Sequence, residues 1–162
     1  MKYTASLVKL NIDERLRASR KQALLDGVPV ADDETLQFLL VTLATAKPKR
    51  ILEIGTAVGL SGVAMLQACP NARLTTIELE EERHLQALRN FSDFGVVERV
   101  TAYLGDAGEI LAMMDGEYDF VCANIVADII IRMAPDVGKH MKKGGLLVVS
   151  GIIERQAEDA KA

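Results

Sequence analysis

Tryptophan is missing from these 162 residues, and the chain has only two cysteines, two histidines and four prolines. Cys69 and Cys122 form no Cys-x-x-Cys pair, and His84 and His140 stand far apart, so no zinc-ligand spacing can be read. No apolar run reaches the ~18 residues that a membrane span requires. The opening MKYTASLVKL lacks the apolar core and small-residue cleavage site of a secretory signal. A reducing, cytoplasmic setting with no membrane partner is therefore expected. Positive charge is scarce as well: 19 Lys and Arg stand against 23 Asp and Glu, a net charge of −4. That balance argues against a protein whose main work is gripping phosphate backbones. One basic cluster, Arg15, Arg17, Arg20 and Lys21, reads as the solvated face of an amphipathic helix.

A composition 49% hydrophobic and 26% charged implies a folded globular chain, most simply one domain spanning 1–162. Five short apolar runs recur at 50–54, 73–77, 99–103, 118–123 and 145–150, with helix-length segments between them. Runs of this kind predict strands buried on both faces of a parallel sheet, in an α/β doubly wound architecture. Helices are expected at about 6–25, at 34–46 with Asp32 or Asp33 as cap, at 80–94 and at 128–141, the last kinked or divided by Pro135. Gly144-Gly145 is expected to turn the chain into the fifth strand.

In an open parallel sheet the ligand crevice lies beyond the carboxyl ends of the strands. The first strand ends in Glu53-Ile54-Gly55-Thr56-Ala57-Val58-Gly59-Leu60-Ser61, where Gly55 and Gly59 permit a tight turn into a helix N-terminus. A nicotinamide fingerprint would require glycine at 57 and 60, and Ala57 and Leu60 stand there. The Glu53 carboxylate is unwelcome beside a pyrophosphate and suits an ammonium or sulfonium cation. Glu78, at the end of the second strand, is placed to accept hydrogen bonds from a ribose diol, with a helix N-cap as its other reading. Asp106, after the third strand, is placed to accept an adenine amino proton, or to cap the helix starting near Ala107. Three acids at three neighbouring strand ends describe a nucleoside with a positive amino-acid tail, and S-adenosylmethionine (or S-adenosylhomocysteine) meets that description.

Residues 28–121, from VPVADDETLQFLL through ILEIGTAVGLSGVAML to GDAGEIL and YDFV, resemble the small O-methyltransferases of the caffeoyl-CoA type, among them bacterial enzymes that methylate 5-hydroxyuridine in tRNA. The resemblance implies a class I, Rossmann-like methyltransferase fold of five parallel strands in the order 3-2-1-4-5. It places Gly55 and Gly59 in the cofactor turn, Ser61 near the methionine carboxylate, Glu78 on the ribose and Asp106-Ala107 at the adenine. Where that family carries a metal-binding aspartate after the fourth strand, this chain has Asn124, so no metal site is expected.

Residues 118–162, with Asn-Ile-Val-Ala-Asp and Ser-Gly-Ile-Ile, instead resemble the C-terminal part of the ribosomal-protein lysine methyltransferases. That resemblance makes Asn124 the residue beside the reactive end of the cofactor. The two likenesses meet at 118–122 and suggest a hybrid: an N-terminal helical segment (1–27), a cofactor-binding core (28–121) and a segment from a second family (122–162). Recombination or design explains such a join more economically than divergence. The expected function is an S-adenosylmethionine-binding methyltransferase domain of unknown acceptor, in which cofactor binding survives more readily than turnover. A non-catalytic recombined scaffold is the alternative. The family's last two strands are not found, which leaves the fifth strand at a sheet edge and predicts a homodimer or larger assembly with residues 145–155 at the contact.

Overall fold

The computed structural model describes residues 10–151. Five parallel strands form one sheet in the order β3-β2-β1-β4-β5: β1 (Arg50–Ile54), β2 (Arg73–Glu78), β3 (Val100–Leu104), β4 (Tyr118–Asn124) and β5 (Met141–Ser150). The helices are α1 (Glu14–Leu25), α2 (Asp33–Ala46), α3 (Leu60–Ala68), α4 (Glu81–Asp93), α5 (Ala107–Met113) and α6 (Ala127–Lys139). Two apolar layers sandwich the sheet. Leu16, Leu36, Leu43, Val63, Met65 and Phe91 meet Ile51, Leu74 and Phe120 on one face. On the other, Ile110, Leu111, Met133 and Val137 meet Leu52, Ile54, Ile77 and Val121. The central strand, β1, sends alternate residues into each layer and is buried from Ile51 to Ile54. This is the arrangement that its continuous apolar run predicts.

The fold class and strand order are those expected, and several local details differ. The α2 cap is Asp32, whose side chain accepts from Thr35 N, while Asp33 opens the helix. Pro135 neither ends nor divides α6, which runs through it and forgoes only the bond that residue 135 would have given to the Ile131 carbonyl. The Gly144-Gly145 pair lies inside β5 rather than before it. Tyr118 pairs with Met141 and Phe120 with Leu146, so the glycines occupy a bulge that lets β5 start nine residues ahead of its end. Nor is the basic cluster one solvated face. Arg20 is only 3% exposed, Arg15 donates to the Asp93 carbonyl and stacks on Phe94, and Arg17 donates to the Leu10 carbonyl. The predicted contact at 145–155 falls partly, and residues 6–9 of the expected first helix wholly, outside the described residues. No helix among the described residues is long and apolar enough to cross a membrane.

Helix α3 carries the turn after β1, and its far end is held from β3. It has no basic residue in its last turn, and Arg99, closing a single 3₁₀ turn before β3, supplies the missing donors. Its guanidinium donates to the carbonyls of Leu66, Cys69 and Ala72 at 2.9, 3.0 and 3.2 Å. Arg99→Met should remove all three bonds and destabilise the fold by about 1.5–3 kcal/mol, the range for bonds to a charged donor. Urea denaturation checks this, and an unchanged midpoint would show that the carbonyls find other partners.

Candidate functional site

The carboxyl ends of the first four strands open into a cavity of about 930 Å³, at the upper end of the ~300–1,000 Å³ usual for small-molecule sites. Its walls are the β1–α3 turn, the start of α4 with Leu79 and Arg83, the β3–α5 turn at 105–108 and the β4–α6 turn at 124–126. One face of α6 (Ile129, Arg132, Met133, Asp136), the segment 29–31 and Gly151 complete it. Every strand turn projects from the same edge because all the strands are parallel.

Gly55, Ser61, Glu78, Asp106, Ala107 and Asn124 all line this cavity. Glu78 is 6% exposed and holds two backbone groups: its Oε2 accepts from Ala57 N at 2.7 Å and its Oε1 from Glu80 N at 3.0 Å. It is not the α4 N-cap; Glu80 occupies that position and caps with no side-chain bond. Asp106 does cap α5, accepting from Glu109 N at 3.1 Å through Oδ1, which leaves Oδ2 for the cavity. Asn124 accepts the Ser150 hydroxyl on Oδ1 at 3.0 Å, so its amide NH₂ is the group left uncommitted.

Gly59 and Glu53 do not line the cavity. Gly59 is the N-cap of α3 at φ +81, and a Cβ there would meet the Phe91 ring at 2.9 Å, so it serves the turn and the close approach of α4. Glu53 lies beneath the floor, 4% exposed. Its Oε1 accepts from Ser61 Oγ at 3.0 Å and its Oε2 from Thr76 Oγ1 at 2.8 Å. Thr56, whose hydroxyl is 2.6 Å from that of Thr76, then donates to Thr76 when Glu53 is ionised. Burial pushes the Glu53 carboxyl up to about 7, with the two hydroxyl donors opposing the rise and the charge of Glu78 adding to it. The sequence places a cavity carboxylate here; the structure makes it a buried link between Ser61 and the two threonines.

Two contributors escape a reading from sequence. Ala57 adopts φ +48 between Gly55 at +91 and Gly59 at +81, so the turn repeats left-handed residues at alternate positions without a central glycine. The Glu78 bond to Ala57 N helps to hold that conformation. Thr56 and Thr76 carry no motif, since nothing local announces that two hydroxyls 20 residues apart will meet over a carboxylate.

An all-parallel sheet in the order 3-2-1-4-5, with helices on both faces and a cavity built from the turns after its first four strands, defines the Rossmann-like class I methyltransferase fold. The family model described as ribosomal protein L11 methyltransferase (PrmA) matches residues 34–162, and the chain belongs to that family. The ribosomal protein L11 methyltransferase of Desulfitobacterium hafniense is 34% identical over 130 residues, 79% of this chain and 40% of the relative. The chain thus spans less than half the length of the curated relatives it matches. The O-methyltransferase TomG from Streptomyces achromogenes, solved in complex with SAM, superposes at a TM-score of 0.78 with 27% identity, over 91% of this chain and 69% of that one. The ribosomal protein L11 methylase from Lactobacillus delbrueckii subsp. bulgaricus superposes at 0.67 with 25% identity, over 82% of this chain and 68% of that one. Both resemblances read from the sequence therefore have counterparts. The family match runs unbroken through 118–122 and lends no support to a hybrid origin.

The raised Glu53 carboxyl has a consequence for stability. Below its ordinary value of 4.5 both folded and unfolded chains hold the proton. Between 4.5 and about 7 only the folded chain holds it, so the stability contributed is full at the acid end and is lost as pH rises through about 7. Glu53→Gln keeps hydrogen bonding to Ser61 and Thr76 without a titrating group. The melting temperature of the variant relative to the unmutated protein should rise across that window and level off above it. A difference independent of pH would contradict the buried, protonated carboxyl.

Proposed function

We propose that this chain is an S-adenosylmethionine-binding methyltransferase domain that uses its cavity for the cofactor. The observation that carries the reading is the Glu78 carboxylate, buried at the end of β2 and fixed by two backbone N–H groups with a lone pair left on each oxygen. The remaining donor set fits the same molecule. Helix α3 begins at the cavity with no side-chain cap, so its first N–H groups are available to a carboxylate. Asp106 Oδ2 offers an acceptor on the β3 side, and Leu79, which also lines the cavity, offers apolar surface.

The bound cofactor would supply an already activated methyl group, so the chain's task is chiefly positioning. Glu78 would hold the ribose in the middle of the ligand, Asp106 would meet its adenine end, and the α3 N-terminus, with Ser61 tethered to Glu53, would hold the amino-acid tail. Asn124 would then be the catalytic residue: Oδ1, held by the Ser150 hydroxyl and keeping a second lone pair, and neighbouring carbonyls would accept N–H groups of a neutral amine and leave its own lone pair free to attack. As a neutral amide it adds no charge to attract a divalent cation, which favours a metal-independent transfer. The L11 methyltransferase relatives support an amine acceptor over a hydroxyl, in a cytoplasmic setting. The edge of β5 supports self-association. Among the described residues it is unpaired on one side, and Leu146 and Leu147 are 42% and 45% exposed.

Calorimetric titration with S-adenosylhomocysteine should give one site per chain. Glu78→Ala should weaken it by about 1.5–3 kcal/mol, the range for hydrogen bonds to a charged group. Unchanged affinity in a folded Glu78→Ala protein would remove the assignment. Sedimentation of the full chain should show a dimer whose β5 amides are protected from exchange. A monomer with freely exchanging β5 amides contradicts the edge pairing.

A further inference from the structure

We infer that Arg20 is a positioning residue for the cavity, holding the 28–31 strap in the conformation that forms one of its walls. The inference rests on the reading of the cavity as the cofactor site. Pro29, Val30 and Ala31 line the cavity, belong to no helix or strand, and precede residue 34, where the family match begins. Few main-chain bonds hold them. Val28 N donates to Ala23 O at 2.9 Å, Val30 N donates to Val28 O at 2.8 Å, and Pro29 has no N–H to give. Val28 and Val30 pack on the core formed with α1–α4, which keeps the strap near the sheet but leaves its rotation undetermined.

Arg20 supplies the missing constraint. From α1 its Nη2 donates both to the Ala31 carbonyl at 2.9 Å and to Asp33 Oδ1 at 2.8 Å, joining the end of the strap to the first turn of α2. The arrangement is costly. The guanidinium is 3% exposed, its partner carboxylate is 64% exposed, and Nη1 is buried with no hydrogen-bond partner among the described residues. A buried charge so incompletely satisfied is a poor device for stability alone. Its geometric product is specific: two points on either side of Asp32 are fixed by the two N–H bonds of one nitrogen, held in the plane of the guanidinium. A lysine ammonium turns freely on a flexible stem and does not fix the directions of two N–H bonds in one plane.

Arg20→Met is the informative substitution, and Leu16→Ala, a core change on the same helix that leaves the clamp intact, is its control. Both variants are titrated with S-adenosylhomocysteine where each remains folded, and amide exchange at Val30 is followed without ligand. If the strap is correctly seated about a tenth of the time in Arg20→Met, the apparent Kd rises about tenfold. Val30 exchange should accelerate in the same variant. Leu16→Ala should lower the melting temperature while leaving both readings in place, and Arg20→Lys should not restore binding. If Arg20→Met does not fold, Arg20→Lys carries the same comparison. The proposal is overturned if the Kd follows the loss of melting temperature equally in both variants, or if Val30 exchange is unaltered without Arg20. If the unmutated protein binds no S-adenosylhomocysteine, the functional reading fails separately, and Val30 exchange still decides whether Arg20 seats the strap.

Discussion

A single carboxylate ties the site to the scaffold. Glu78 stands at the end of β2 and accepts one N–H from the β1–α3 turn and another from the approach to α4. Without it the turn would have to keep Ala57 at a positive φ unaided, a backbone state that costs a non-glycine residue about 1–3 kcal/mol. Gly55 and Gly59 adopt their angles freely, and Ala57 does so under constraint. The α3 N-terminus, and whatever anion it receives, takes its direction from that turn. The acid that the sequence marks as a ligand-binding group is thus also the latch of the loop beside it.

Beneath this latch runs a second layer of polar contacts. Ser61 and Thr56 both face the cavity, and both connect inward to Glu53, directly or through Thr76. A carboxyl whose protonation is balanced near neutrality sits behind two hydroxyl-bearing residues of the cavity wall. The charge below the floor therefore bears on which donors and acceptors the floor presents.

The strands were legible because β1, β2 and β4 are largely buried on both faces, and apolar runs report that condition directly, whereas their order came with the family resemblance. The cavity location followed from parallel topology. The errors arose where one residue type serves two geometries. Glycine pairs make turns and also bulges, and only the pairing of Tyr118 with Met141 shows that Gly144-Gly145 is the second. Proline ends helices whose partners are elsewhere, and α6 packs firmly enough through Met133 and Val137 to continue past Pro135. Arginines at 15, 17 and 20 look alike in a helix-period pattern, yet of the three only Arg20 is buried, bonded to the Ala31 carbonyl and the Asp33 carboxylate. Glu53 was placed one layer too high, since one of the hydroxyls that meet it, that of Thr76, comes from distant sequence.

The bulge in β5 bears on how the chain reaches this structure. β1 pairs with β2 and with β4, and the second pairing joins Ile51 to Phe120, far more distant in sequence than the Arg73–Glu78 strand, so it carries the greater loop-closure entropy. β5 can add only after β4 is in place. Its register is then chosen twice, once at Met141 and again at Leu146, on either side of a glycine pair that imposes little preference of its own. The pairing chosen at Leu146 carries on to Val148 opposite Cys122 and Ser150 opposite Asn124, so a slipped strand would part the Ser150 hydroxyl from the Asn124 amide that it meets in the bulged one.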